Sequence, residues 1–230
     1  MSQVYEEFEK SIRKQASVFE IGGFRPPDDP LTSWFGKVKV ALPGESWPVS
    51  DGTSMIPLAQ INLTELPYIP DELSDIQLIT VFIDCNSLPI DTPNGEKWAL
   101  RVYKDLSALV PIEEPDDLNT WLKAFPMKAS IAEKDYPCWE DVWDCPEELD
   151  DDYYDLFDNV PGFKIGGWPS LIQSGISWAP WNEHPHKPEY VFQIGTTQKG
   201  NWMLGDNGVG YFGRGTGEHK DKWALAWQCY

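Results

Sequence analysis

The stretch GVGYFG at residues 208–213 decides between two folds. Its glycine spacing matches the loop that holds a dinucleotide pyrophosphate, which needs a strand before the first glycine and a helix beginning at the third. Only seventeen residues follow Gly213, and the first four of them, RGTG, favour a turn. The stretch therefore predicts a turn and a closely packed strand between Gly205 and Gly213, with no nucleotide cofactor.

Apolar runs elsewhere in the chain also predict strands. Four of them are short and rich in β-branched and aromatic residues: WFGKVKVAL (34–42), MIPLAQINL (55–63), IQLITVFID (76–84) and WALRVY (98–103). Twenty prolines and eighteen glycines disfavour long helices. We therefore expect an α+β fold in which antiparallel sheets predominate.

Two segments have helical patterns. In residues 1–20, one stripe at helical spacing holds Val4, Phe8, Ile12, Ala16 and Phe19, while the charged residues fall largely elsewhere. This pattern predicts an N-terminal amphipathic helix that docks on the body of the protein. A short helix is also predicted at 118–124, where Pro126 would end or bend it.

The two halves of the chain contain a weak internal repeat. PLAQIN (57–62) matches YVFQIG (190–195), each is followed by an apolar strand, and EIGGF (20–24) matches KIGGW (164–168). Gln60 and Gln193 are 133 positions apart, and Phe82 and Phe212 are 130 apart. These similar offsets predict two related β units rather than a solenoid, whose period would be about 20–50 residues.

Charge and composition restrict the partners and the compartment. A formal net charge of −19 opposes binding to nucleic acid or to an anionic membrane and favours a partner with a basic surface. No apolar run is long enough to span a membrane, and residues 1–20 lack a signal-peptide pattern, so we expect a cytoplasmic protein. Its four cysteines are far apart in the sequence and are expected to stay reduced.

Metal and catalytic motifs are weak. His184 and His186 are two residues apart near Glu183 and Glu189, but prolines surround them and His219 is distant in the sequence, so no metal site is predicted. No G-x-S-x-G elbow is present, and no catalytic residue is predicted. A carboxylate pair in a tryptophan-lined groove remains an alternative, since thirty-seven acids are present.

Residues 133–158 combine acidic and aromatic side chains. The segment contains twelve acids and one base, a net charge of −11. On one interpretation it binds a partner, with rigid aromatic anchors and with aspartates that mimic phosphates: Trp139, Trp143, Tyr153, Tyr154, Asp150, Asp151 and Asp152. On the other, the aromatic side chains fold inward and pin the segment to the body of the protein. The two interpretations are compatible.

Five ordered motifs carry a resemblance to a known family: IPLAQINLTELP (56–67), KIGGWPSLIQ (164–173), YVFQIG (190–195), GDNGVGYF (205–212) and WQCY (227–230). Together they resemble the YwqG-like family of bacterial proteins, whose molecular function is unknown. The resemblance covers most of residues 20–230 and implies one domain over 1–230, with coiled, partly bifurcated antiparallel sheets and no known cofactor. Residues 133–158 fit no pattern of that family and form an insert.

The resemblance also implies a function, because some relatives are encoded among bacterial toxin and immunity genes. We therefore expect a non-enzymatic immunity protein that binds and neutralises a toxin or effector, such as a nuclease with a basic surface. The alternative is a small-molecule-binding protein or hydrolase with a tryptophan-lined pocket.

Overall fold

The computed structural model describes residues 3–176, residue 178 and residues 184–230. Within them lie three α-helices: Gln3–Ile12 (α1), Glu147–Asp150 (α2) and Tyr153–Leu156 (α3). The strands are Lys14–Ile21 (β1), Trp34–Phe35 (β2), Val40–Ala41 (β3), Val49–Ser50 (β4), Thr53–Ser54 (β5), Ile56–Asn62 (β6), Leu78–Ile83 (β7), Trp98–Tyr103 (β8), Val110–Pro111 (β9), Phe125–Asp135 (β10), Lys164–Gly166 (β11), Glu189–Gly195 (β12), Val209–Arg214 (β13) and Trp223–Gln228 (β14). None of these helices has the length and apolarity needed to cross a membrane.

The N-terminal helix is shorter than the sequence predicts. Its presence is confirmed, but α1 ends at Ile12, and Lys14–Ile21 form β1 rather than further helical turns. β1 pairs antiparallel with β10 on one side and with β11 on the other. Sheet pairing on both edges of this segment outweighs its helical spacing, because each edge supplies hydrogen bonds and burial that a surface helix would lack.

A ten-stranded sheet forms most of the protein, in the order β14-β13-β12-β11-β1-β10-β2-β6-β7-β8. All of its pairings are antiparallel, which confirms the predicted strand class. The GVGYFG stretch lies largely in β13, between β12 and β14, and no helix begins at Gly213. A side chain at Gly213 would collide with Trp178, whose indole ring packs on this glycine.

The strand order has two similar halves that meet at the pairing of β1 with β10. One half runs β8-β7-β6-β2-β10 and the other β14-β13-β12-β11-β1. The innermost strand of the second half comes from the start of the chain, because β1 precedes β2 in the sequence but pairs with β11. β10 likewise pairs with β1 along most of its length and with β2 at its first two residues.

Strand register allows the predicted repeat to be checked residue by residue. Gln60 pairs with Trp34 and Thr80, and Gln193 pairs in the same way with Lys164 and Tyr211, so the two glutamines occupy equivalent positions.

The other two predicted correspondences are wrong. Phe82 is equivalent to Gly213 and not to Phe212, because both residues pair across the sheet with an alanine at the same register. The EIGGF and KIGGW stretches are not equivalent either, since the first ends β1 and the second forms β11.

The helix predicted at 118–124 is absent. This segment runs without helical structure into β10, which begins at Phe125 and includes Pro126. Its polar backbone groups bond to a neighbouring loop instead: the Lys123 amide donates to the Gly200 carbonyl at 2.9 Å, and Asn201 Nδ2 donates to the Trp121 carbonyl at 2.9 Å. These tertiary hydrogen bonds replace the helical ones.

The main core lies between the two halves of the sheet. Phe192 stacks on Phe212 with ring centroids 4.3 Å apart, and Trp98 from the other half meets Phe212 edge-on at 6.1 Å. The outer strands are also bridged, because Trp227 Nε1 of β14 donates to the Pro89 carbonyl in the loop before β8 at 2.7 Å. The sheet is therefore curved and nearly closed.

Candidate functional site

The insert at 133–158 is held by a small core of its own. Tyr136, Tyr153 and Phe157 are buried with Leu149 against Phe8 of α1. The Phe157 ring lies 5.6 Å from the Phe8 ring and 5.1 Å from the Tyr136 and Tyr153 rings. The N-terminal helix and the insert thus stabilise each other, and the insert is fixed rather than loosely tethered.

Hydroxyl groups complete this small core. Tyr136 Oη donates to Glu9 Oε1 at 2.6 Å, and Tyr153 Oη donates to the Pro137 carbonyl at 2.8 Å. Lys134, the one base of the insert, lies 3.1 Å from the same Glu9 oxygen. The hydrogen bond from Tyr136 and the charge of Lys134 lower the pKa of Glu9. Lys134 is therefore paired with Glu9 on the side of the insert that packs on α1. The rest of the insert remains strongly acidic.

The predicted aromatic anchors separate into two groups. Tyr153 is 1% exposed and belongs to the small core, as the inward-folding interpretation expects. Trp143 and Tyr154 are 67% and 69% exposed, and Trp139 lies at the border with 36%. Of the four predicted aromatic anchors, only these three are accessible to a partner.

The three predicted phosphate mimics are also accessible. Asp150 ends α2, and Asp151 and Asp152 connect it to α3, with all three residues exposed. Within the described ranges none of them forms an ion pair. We give one name, the acidic aromatic face, to these exposed residues of the insert: Trp139, Trp143, Tyr154, Asp150, Asp151 and Asp152.

A cleft of about 730 Å³ lies beside this face. Aromatic side chains form much of its wall: Trp143, Trp168, Trp178 and Tyr190. Charged side chains line it too: Lys14, Glu72, Asp141, Lys187 and Glu189. We call it the tryptophan cleft; its volume lies in the range of small-molecule sites, about 300–1,000 Å³.

A buried ion pair positions one wall of the tryptophan cleft. Lys164 Nζ lies 2.7 Å from Asp135 Oδ2, and both side chains are fully buried. Asp135 also accepts hydrogen bonds from the Trp168 amide at 2.8 Å and the Val160 amide at 2.7 Å. A side chain at Gly167 would collide with the Asp135 carboxylate, so glycine is required where the chain turns toward Trp168.

Two buried glutamines hold the next part of this wall. Gln193 Oε1 accepts from the Ser170 amide at 2.8 Å, and its amide group donates to the Gly162 carbonyl at 3.0 Å. Gln228 Oε1 accepts from the Ile172 amide at 2.9 Å and from Tyr211 Oη at 3.2 Å. Gln193, Tyr211 and Gln228 belong to the YVFQIG, GDNGVGYF and WQCY stretches. Their hydrogen bonds hold the loop after β11, which is part of the KIGGWPSLIQ stretch.

Lys14 and Asp141 face the tryptophan cleft with altered proton affinities. The Lys14 ammonium lies 3.6 Å from the centre of the Trp168 ring, a cation–π contact. The residue as a whole is exposed, yet protein packed around its ammonium group lowers its pKa. Burial raises the pKa of the half-buried Asp141 to about 6, although Lys14 acts in the opposite direction. Shifted pKa values of this kind are common at binding and catalytic sites and also occur at structural ion pairs.

Replacing Asp141 with asparagine is expected to stabilise the protein near neutral pH. Because the pKa of Asp141 rises from 3.8 to about 6 on folding, its ionised form costs stability once the pH exceeds both values. For a half-exposed group, screening by water reduces this cost to about 1 kcal/mol. Denaturant unfolding should show this gain at pH 7.5 and none at pH 4, whereas Asp155→Asn, on the exposed side of the insert, should show neither. Equal effects at both pH values would contradict the prediction.

The histidines are closer together than the sequence predicts. The His186 ring lies 5.2 Å from the His184 ring and 5.3 Å from the His219 ring, so His219 is not remote. Even so, no group of three or more His, Cys, Asp or Glu side chains within the described ranges is arranged to hold a metal. Glu183, which the sequence places beside them, lies outside the described residues.

Sequence reasoning missed Lys14, Asp141, Trp168 and Trp178 as possible ligand contacts. Lys14 was assigned to the polar side of a helix, and Asp141 was one of twelve acids in the insert. Trp168 could have been recognised from its position directly after the two glycines of KIGGW. A bulky aromatic residue after a glycine pair indicates a place where the backbone turns to present a side chain.

Comparison with known proteins places these motifs in a family. A family model described as a domain of unknown function (DUF1963) matches residues 35–214. The chain belongs to the DUF1963 family. The DUF1963 match begins in β2 and ends in β13, and it includes the insert and most of the tryptophan cleft. No curated protein matches the chain.

Proposed function

We propose that the protein is a non-enzymatic, cytoplasmic binding protein that neutralises a toxic effector with a basic surface. The observation that carries the proposal is the acidic aromatic face, in which exposed aromatic side chains and exposed aspartates lie on a segment fixed by its own core. The YwqG-like resemblance supports the role, since relatives of that family are encoded among toxin and immunity genes.

Rigidity is what makes this surface suitable for binding. A flexible acidic loop would lose conformational entropy on association, and that loss would weaken the complex. Here Tyr153 and Phe157 already hold the segment in place. Trp143 and Tyr154 can then supply apolar contact area at small entropic cost, which is the usual role of aromatic residues at interface hot spots.

The aspartates account for the expected preference for a basic partner. Asp150, Asp151 and Asp152 are consecutive and exposed, and none of them forms an ion pair with a described residue. Carboxylates in such a row can occupy the positions of phosphate groups in the substrate groove of a nuclease. Inhibition then requires only that the groove be filled, with no reaction on this chain.

Charge removal should change mainly the rate of association. Replacing Asp150, Asp151 and Asp152 with asparagine is expected to slow association with the cognate effector about tenfold at low salt and to flatten its salt dependence. The effector should be sought among the purified products of genes neighbouring this one. Surface plasmon resonance at several salt concentrations measures both the association rate and its salt dependence.

Truncation of an aromatic anchor should instead change the rate of dissociation. Trp143→Ala is expected to accelerate dissociation about thirtyfold in the same measurement.

Matched controls separate the face from the overall charge. Neutralising Asp28, Glu113 and Asp116, three exposed acids outside the insert, removes the same charge elsewhere and should have a much smaller effect. Trp121→Ala removes a tryptophan that is 46% exposed outside the insert and should leave dissociation unchanged. Equal effects of the two charge variants would contradict the proposed face.

A further inference from the structure

The tryptophan cleft is lined by polar groups that lack an ion-pair or hydrogen-bond partner among the described residues. Within the described residues, neither Lys14 nor Asp141 has an ion-pair partner within 4.0 Å. The Trp178 side chain is 4% exposed, and its indole N–H has no acceptor among the described residues. Buried donors without partners are uncommon in folded proteins and indicate a place where a bound molecule supplies the missing acceptor.

Charge in the tryptophan cleft is nearly balanced, unlike that of the neighbouring insert. Among the described residues, three carboxylates and two ammonium groups line it: Glu72, Asp141, Glu189, Lys14 and Lys187. A strongly cationic ligand would be repelled by the lysines, and a strongly anionic one by the carboxylates. The lining therefore favours a neutral ligand that both donates and accepts hydrogen bonds.

The aromatic wall specifies the rest of the ligand. Trp143 lines the cleft with a side chain that is 67% exposed. Pyranose rings have an apolar face of C–H groups that packs on indole and hydroxyl groups that reach sideways to carboxylates and ammonium groups. Carbohydrates thus combine the two properties that this lining requires.

We propose that the tryptophan cleft binds a neutral oligosaccharide, with one ring against Trp143 and with hydroxyl groups bonded to Lys14 and Asp141. Asp141 accepts from one hydroxyl and Lys14 donates to another. A further hydroxyl oxygen accepts from the Trp178 indole. The site is separate from the acidic aspartates 150–152 and does not depend on the proposed neutralisation of an effector.

Titration of the whole protein with defined sugars tests this proposal. Maltotetraose, cellotetraose and chitotetraose should be compared by tryptophan fluorescence and calorimetry, with spermidine and lysine as cationic and zwitterionic probes. At least one tetrasaccharide should bind with a dissociation constant below about 1 mM, whereas spermidine and lysine should not. Trp143→Ala should weaken that binding at least tenfold, and Lys14→Met or Asp141→Asn about tenfold each.

Controls make each outcome decisive. Trp121→Ala should leave sugar binding unchanged, and so should asparagine at positions 150–152, which separates this site from the effector surface. Failure of all three tetrasaccharides to bind would overturn the proposal, as would sugar binding that Trp143→Ala does not weaken. Spermidine binding that Lys14→Met strengthens would overturn it in favour of a cationic ligand.

Discussion

Replacing Lys164 with methionine is expected to lower the free energy of unfolding by about 3–5 kcal/mol. Lys164 and Asp135 are both fully buried, with Nζ and Oδ2 2.7 Å apart. Burial lowers the pKa of Lys164, and the negative charge of Asp135 opposes that shift. Each buried charge is therefore stabilised by the other. Methionine would leave the Asp135 carboxylate with two backbone amides but without a counter-charge.

Denaturant unfolding of Lys164→Met beside Lys37→Met measures this cost. Lys37 forms an ion pair of 3.8 Å with Glu114, and both side chains are about 40% exposed, so its loss should cost less than about 1 kcal/mol. The double variant Asp135→Asn, Lys164→Met should be less destabilised than the sum of the two single variants, because no lone charge stays buried. A cost for Lys164→Met no larger than that for Lys37→Met would show that the buried pair contributes little.

This ion pair connects the fold to the tryptophan cleft. Asp135 ends β10, the strand on one side of the central pairing, and Lys164 begins β11. Because Asp135 also accepts from the Trp168 amide, it holds the backbone from which the Trp168 ring extends under Lys14. Loss of the pair is therefore expected to disturb the cleft as well as the core.

Most strands could be predicted because their signals are local, but the run at 34–42 forms two short strands, β2 and β3, in different sheets instead of one. WALRVY at 98–103 coincides with β8, and IQLITVFID contains β7, since runs of β-branched and aromatic residues favour a half-buried or buried strand. β1 could not be predicted in the same way. Its residues share a helical spacing with α1, and only pairing with two strands far away in the sequence makes them extended.

The repeat illustrates how register decides between similar stretches. The stretches Trp98–Leu100 and Trp223–Leu225 both read WAL and begin β8 and β14 at equivalent positions. This match was present in the sequence, at an offset of 125, but loops of different length change the offset from strand to strand. Matching the two phenylalanines at an offset of 130 therefore placed Phe82 one residue away from its true equivalent, Gly213, which lies at an offset of 131.

The candidate sites were predictable to different extents. The acidic aromatic face follows from the composition of one continuous segment, although composition cannot tell which tyrosine of the 153–154 pair is buried. The tryptophan cleft combines Lys14, Glu72, Asp141, Trp168 and Glu189, which come from five distant parts of the chain. No local pattern joins such residues, because only the sheet order brings them together.

Replacing Tyr153 with alanine is expected to destabilise the protein by about 3–5 kcal/mol, whereas the same change at Tyr154 should cost less than about 0.5 kcal/mol. Tyr153 is 1% exposed and contacts Phe157, and its hydroxyl donates to the Pro137 carbonyl at 2.8 Å. Truncation would leave a cavity in the small core and an unsatisfied carbonyl. Tyr154 is 69% exposed, so its removal loses little buried area. Thermal and denaturant unfolding of the two variants measure this difference.

The adjacent tyrosines also separate stability from binding. Tyr153→Phe keeps the ring and removes the hydrogen bond, so it should cost about 1 kcal/mol and leave the cavity filled. If Tyr154→Ala remains as stable as the unmodified protein but dissociates faster from the effector, Tyr154 acts in binding and Tyr153 acts in support. Equal destabilisation by the two alanine variants would mean that both rings pack inward in solution. The acidic aromatic face would then retain only Trp139 and Trp143 as aromatic contacts, and the expected hot spot would move to Trp143.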